Sequence, residues 1–293
     1  MPIVTVQDFT GVYAEQPFMQ GLRNSAATES NIHWLDCTQI DGTDCYCDDE
    51  AQTTLNKMID EAVATAVNAS AADTPHKIGI HFFDNGNYHY MSKLWTDRVQ
   101  EPFDLVVFDH HPDMQPPRFE GILSCGGWIK EVIEHNKFIQ NVIVIGVADH
   151  LVEEIREDLS QTGNENLLDR VQFVKESELT QHTSHYTLHT THHTPIYISI
   201  DKDALSASEA ATNWDQGSLT FEQLADTLTA LAQNHKILGV DICGERARDM
   251  GFEDTAAADA LNNTLNEKLY KFLTTLVEKE IPHQVRNDVN GVS

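Results

Sequence analysis

Residues 103–113 read FDLVVFDHHPD. The stretch opens with the apolar run Leu105, Val106, Val107 and Phe108, then changes abruptly to Asp109, His110, His111 and, past Pro112, Asp113. An unbroken apolar run of this kind suits a strand buried on both faces, as in a parallel sheet. Asp109, His111 and Asp113 stand at i, i+2 and i+4. If the extended backbone persists, their side chains leave on one side, roughly 6–7 Å from one to the next. Three such groups with nothing between them repel and desolvate badly, and a cation solves that problem. His110 then points the other way, as a donor behind the site or a core histidine.

A second stretch repeats the pattern. Residues 195–205, PIYISIDKDAL, form an apolar run that ends in Asp201 and Asp203, again two apart. Two buried strands delivering alternate carboxylates at their C-terminal ends is specific, because ligands of open α/β sheets sit outside those ends.

The rest of the chain fits one α/β unit. Its 293 residues are enough for a large core, and no Pro-, Gly- or Ser-rich linker divides them. We expect a single domain over 1–282 and a polar tail over 283–293. A formal charge of -27, from 46 acidic against 19 basic residues, argues against nucleic acid or an anionic membrane surface as partner and favours cations. The N-terminus MPIVTVQDF carries no signal-peptide pattern, and no segment has the length of a membrane span. Five scattered cysteines fit reduced thiols, so a cytoplasmic protein is expected.

Taken in order, 3–12 and 32–37 read as strands. Asp48 or Asp49 caps a helix to about 68, with Leu55, Met58, Ile59, Ala62 and Val63 at helical spacing. Strands follow at 77–83, 103–110, 141–147, 171–174, 195–201 and 236–242. Helices are expected near 89–99, 128–136, 151–159, 219–234 (capped by Ser218 or Thr220) and 254–279. Residues 180–194 read as a polar loop whose histidines, His182, His185, His189, His192 and His193, are a solvated tract. Strands alternating with helices imply βαβ units and a three-layer α/β/α fold with a mostly parallel sheet.

The run Asp109-His-His111-Pro-Asp113, the run Asp201-Lys-Asp203 and His89 behind a glycine turn together resemble the arginase/agmatinase/formiminoglutamase (ureohydrolase) family. His89 lies 20 residues before Asp109, in keeping with that family's order. Residues 213–220, NWDQGSLT, resemble its glycine-rich stretch, and 238–242 followed by Glu245 its substrate-side acidic strand. The resemblance implies an arginase/deacetylase-like fold with His89, Asp109, His111, Asp113, Asp201 and Asp203 as metal ligands. It implies two Mn2+ ions, with Asp109 and Asp201 bridging, and Asp113 and Glu245 in catalytic roles. The implied reaction is cleavage of a C–N bond in a small cationic guanidino or amidino substrate, releasing urea. Four carboxylates and two imidazoles without a thiolate independently suit a hard or borderline metal such as Mn2+.

The chain also departs from the family. The usual glycine-glycine-Asp-His motif is Gly86-Asn87-Tyr88-His89, with His81 as the alternative ligand. Where a proton-shuttle histidine is expected stand Ser124-Cys-Gly-Gly-Trp128. The slot of the substrate-side glutamate is Gly244, with Glu245 one residue on, where a pair with Arg246 or Arg248 is the competing role. Met114 and Gln115 occupy the loop that binds an amino acid's polar end. A remodelled pocket points away from free arginine, with an arginine side chain in a peptide one candidate. A mononuclear zinc amide hydrolase and a non-catalytic metal-binding relative stay open, as does a homo-oligomer.

Overall fold

The computed structural model describes residues 2–69, 79–116, 121–181 and 194–279. In chain order these form β1 (Val4–Asp8), α1 (Pro17–Ser25), β2 (Ile32–Asp36), β3 (Tyr46–Cys47), α2 (Asp49–Ala69), β4 (Gly79–Phe82), α3 (Met91–Thr96) and β5 (Phe103–Phe108). There follow β6 (Leu123–Ser124), α4 (Trp128–His135), β7 (Ile139–Val147), α5 (Asp149–Gln161), β8 (Val171–Lys175), α6 (Glu176–Gln181), β9 (Ile196–Asp201), α7 (Phe221–Asn234), β10 (Ile237–Cys243) and α8 (Phe252–Lys279). The histidine tract and the tail fall outside the described residues.

Eight strands make one sheet in the order β2-β1-β4-β10-β9-β5-β7-β8, and every pair is parallel. β5, β9 and β10 lie inside it and are buried at every residue, which is why their sequences carry unbroken apolar runs. Side chains still alternate between the faces. Leu105 and Val107 join the core beneath α2, α3, α4 and α5, whereas Val106 and Phe108 join the core beneath α1, α7 and α8. Helices on both faces complete the three layers. Leu265, Leu269 and Leu273 show how α8 is held: spaced four apart, all are buried, each contributing about 1.5–3 kcal/mol.

Thr220 rather than Ser218 caps α7, in a reciprocal box with Gln223. Asp48 caps α2, its Oδ1 accepting from Ala51 N at 2.9 Å. The structure departs from these expectations at several points. The first strand stops at Asp8, because Gly11 turns the chain at φ +77° into a short 3-10 helix, Val12–Glu15. The sequence reading has no helix where α1 stands, although Pro17 opens it and Met19 and Leu22 bury one turn apart. α3 is shorter than 89–99, and β5 ends at Phe108 instead of reaching residue 110. The antiparallel ribbon β3–β6, two residues a side, is too short to leave a periodic signal. Among the described residues no helix is long and apolar enough to cross a membrane.

Candidate metal centre

The site forms where β4, β5, β9 and β10 run out at their C-terminal ends. Asp109 is the first residue past β5, and its amide still donates to Ile145 O on β7 at 3.0 Å. The extended spacing expected for Asp113 does not hold: past Pro112 this residue takes φ +45° and folds back towards the sheet. Asp203 likewise does not arrive by alternation. β9 ends at Asp201, whose carboxylate accepts from Asp203 N at 2.9 Å and caps a 3-10 turn, Lys202–Ala204. His89 comes from the β4–α3 connection, where Asn85 caps the 3-10 turn Gly86–Tyr88 by accepting from Asn87 N at 3.0 Å.

Six side chains nevertheless converge. His89 Nδ1 stands 3.2 Å from Asp109 Oδ2, 3.0 Å from Asp113 Oδ2 and 3.5 Å from Asp201 Oδ2. His111 Nδ1 stands 2.9 Å from Asp203 Oδ2 and 3.5 Å from Asp109 Oδ1. Two triads of metal-ligand spacing result, His89/Asp109/Asp113 and Asp109/His111/Asp203, and they share Asp109. Asp201 belongs to a third group with His89 and Cys243. All six border a cavity of about 110 Å³ whose rim adds Gln115, Cys125, Leu151 and Trp214.

Neighbours fix the ligands in place. Ser199 Oγ meets His89 Nε2 at 2.9 Å and is itself 2.9 Å from Ser92 Oγ, so His89 Nδ1 turns towards the carboxylates. Trp128 Nε1 donates to Asp113 Oδ2 at 2.8 Å. Asp215 Oδ1 lies 3.3 Å from His111 Nε2. Cys243, directly beside Asp201 in the sheet register, donates its thiol to Asp201 Oδ2 at 3.1 Å. Ser199, Trp128 and Cys243 belong to no ligand motif, and Asp215 sits in the 213–220 stretch without a role its spacing reveals; the strand order and loop paths bring all four to the site.

The electrostatics are those of an acid-rich pit. Burial, then the charges of Asp201 and Asp109, push Asp203 well above the usual carboxylate range. Burial and the Asp109 charge push Asp113 up to about 6. Burial also opposes the charge on Asp109, but His111 and His89 outweigh it and hold that carboxyl low. His111 rises to about 12, because Asp109 and Asp203 overcome the effect of its burial. Asp109 Oδ2 is buried without a well-directed hydrogen bond, although His89 Nδ1 is near. A bare carboxylate oxygen aimed into a set of four carboxylates and two imidazoles fits a pair of divalent cations.

Other candidates lie elsewhere. His81 is 2.7 Å from Asp241 Oδ1 and stacks on Trp95 at 3.5 Å within the core, away from the six. His110 is buried beside the site, its Nε2 3.9 Å from Asp215 Oδ2. Glu245 is not brought to the cavity, which corrects its expected substrate-side role. It is fully buried, ion-paired to Lys202 and hydrogen-bonded by Gln16, Asn262 and Asn266. The alternative surface pair fails too, since Arg246 pairs with Asp259 at 2.7 Å. Gly244 holds the glutamate slot at φ +91°, where a Cβ would come within 2.3 Å of Asp201 Oδ1, so no acid fits there. Cys125 lines the cavity in place of the expected histidine. Its thiol is held far above the usual range by contact with Cys45 and by burial, which disfavours a nucleophile.

Comparison with known proteins bears on the fold and the family. An uncharacterised protein of Thermotoga maritima is 27% identical over 245 residues, spanning 83% of this chain and 80% of that one. The fold is similar to agmatine ureohydrolase of Thermoplasma volcanium (TM-score 0.59, 14% identity, 92% of this chain and 91% of that one). It is also similar to proclavaminate amidino hydrolase from Streptomyces clavuligerus (TM-score 0.55, 16% identity, 90% and 92%). Residues 18–258 match the sequence profile of the Arginase family, and the chain belongs to that family.

Proposed function

We propose that this protein is a binuclear manganese-dependent hydrolase that cleaves a C–N bond, other than a peptide bond, in a guanidino or amidino substrate, releasing urea from a guanidino one. The observation that carries this reading is the pair of triads joined at Asp109. His89, Asp109, Asp113 and Asp201 would hold one ion, and Asp109, His111, Asp201 and Asp203 the other. Ions held there supply Lewis-acid activation of water and of the group to be cleaved.

The chain's own residues supply position. Asp113, pinned by Trp128, presents a carboxylate to the cavity where an attacking water can be oriented. Ser199 and Asp215 hold the two imidazoles from behind. The acidic walls attract a cation, and among the described residues the rim of Gln115, Leu151 and Trp214 offers an amino acid's carboxylate no cationic partner. A guanidino compound other than free arginine is the substrate this supports.

The test is metal content after Mn2+ loading together with urea release from a panel of guanidino compounds. Two ions per chain and urea from at least one compound are expected. One ion or none would sink the binuclear reading. Gly244 in the glutamate slot favours a second reading, a metal-binding relative without turnover, and two ions with no hydrolysis of any guanidino or amidino compound would select it.

A further inference from the structure

Trp214 is the one large hydrophobic side chain among the described residues that stays exposed, at 44%. Its position is built rather than loose. Its Nε1 donates to Asn87 Oδ1 at 3.0 Å, and Asn213 Nδ2 donates to the same oxygen at 2.7 Å. Asn87 Nδ2 in turn donates to Asp44 Oδ1 at 2.8 Å, and Gly86 N donates to Asn213 Oδ1 at 3.0 Å. The backbone makes room for the ring: a Cβ at Gly86 would come within 2.7 Å of Trp214 Cδ1. The indole stands edge-on to His111, with ring centres 5.9 Å apart, and forms part of the cavity wall. An aromatic ring clamped by its nitrogen, with its body open to a ligand pocket, does not serve the core.

The electrostatic setting selects what such a ring receives. An indole face is the strongest aromatic partner for a cation. Asp215, the next residue in the chain, lies 3.3 Å from His111 Nε2 through its Oδ1, and the ring lines the cavity that Asp109, Asp113, Asp201 and Asp203 also line. We infer that Trp214 is the specificity-determining residue of this pocket, receiving the face of a planar cation, a guanidinium or amidinium, as the cation approaches the acidic floor. The inference deepens the function proposed above and rests on it for the identity of the cation. It adds the residue that reads the cation.

Binding of methylguanidinium and of its neutral analogue N-methylurea to Mn2+-loaded protein tests this by calorimetry, comparing wild type with Trp214→Leu and Trp214→Phe. The Leu variant should bind methylguanidinium about 5- to 30-fold more weakly and the Phe variant within about 3-fold of wild type. N-methylurea binding should be unchanged in both. With any guanidino compound that is turned over, Trp214→Leu should raise KM and leave kcat nearly unchanged. Equal loss for the charged and neutral probes, no loss in the Leu variant, or no methylguanidinium binding to wild type would each overturn the inference. The two readings fail separately. Urea release with unaltered KM in Trp214→Leu refutes the role of Trp214 alone. Trp214-dependent cation binding with no hydrolysis of any guanidino or amidino compound refutes the hydrolase alone.

Discussion

Lys202 leaves the same turn as Asp201 and Asp203 but enters a different kind of environment. On its side, Glu245 is fully buried and every demand of its carboxylate is met. Lys202 and Asn266 serve Oε1, while Gln16 and Asn262 serve Oε2. Burial opposes that charge, yet Lys202 and the amide donors prevail and the Glu245 carboxyl stays below its ordinary range. On the other side, Asp109, Asp113, Asp201 and Asp203 share two imidazoles, and three of the four are pushed above the ordinary range, by burial first. Buried acid by itself therefore says little about function. Acid left without enough partners from its own chain is what marks the site.

The largest expected effect breaks the satisfied side. Lys202→Met strands the Glu245 charge in the core and should cost about 3–5 kcal/mol in urea denaturation. Adding Glu245→Gln removes that charge, and the double variant should recover most of the loss. A double variant as unstable as Lys202→Met alone would mean that Lys202 acts through packing instead. Asp203→Asn, on the unsatisfied side, should leave the metal-free protein within about 1 kcal/mol of wild type or more stable, because it removes a charge that its neighbours repel. The same substitution should lower bound Mn2+ from two ions towards one.

The imbalance also sets a direction with pH. In the metal-free chain burial and the Asp109 charge raise the Asp113 carboxyl to about 6, and Asp109 and Asp203, against burial, raise His111 to about 12. Metal binding needs both groups bare, so it releases protons. Mn2+ affinity should therefore rise with pH between about 6 and 9, up to tenfold per unit for each proton released. Proton release measured in buffers of different ionisation enthalpy checks the count. An affinity that is flat or falls over that window would show that the empty site is already deprotonated.

How much of this was readable from the chain differs between the same two regions. Buried parallel strands write themselves as apolar runs, so β5 and β9 were legible, and with them Asp109 and Asp201 at their ends. The approach of Asp113 and Asp203 was not, because the residues after each strand leave the extended conformation, at φ +45° in one case and in a 3-10 turn in the other. The motif spacing survived although the geometry inferred from it did not. The family resemblance puts Glu245 on the substrate side, and the partners that hold it in the core carry no local signal against that. Gln16 lies 229 residues away, and Asn262 and Asn266 reach back from α8, 17 and 21 residues on. Cys243 is hidden for a related reason: its place beside Asp201 depends on β10 pairing with β9, which spacing along the chain does not reveal.

Two buried indoles separate the regions most finely. Trp128 Nε1 donates to Asp113 Oδ2 and Trp95 Nε1 donates to Gln7 Oε1, each at 2.8 Å. Either tryptophan replaced by phenylalanine loses one buried hydrogen bond and some packing, so both variants should be destabilised by about 1–3 kcal/mol. Only one of those bonds orients a residue of the unmatched acid set. Trp128→Phe frees the Asp113 carboxylate to turn and should weaken Mn2+ binding about 10- to 100-fold. Trp95→Phe should leave it unchanged. Equal metal affinity in the two variants would mean that Asp113 is held by its backbone turn alone, or that it does not touch the ion at all.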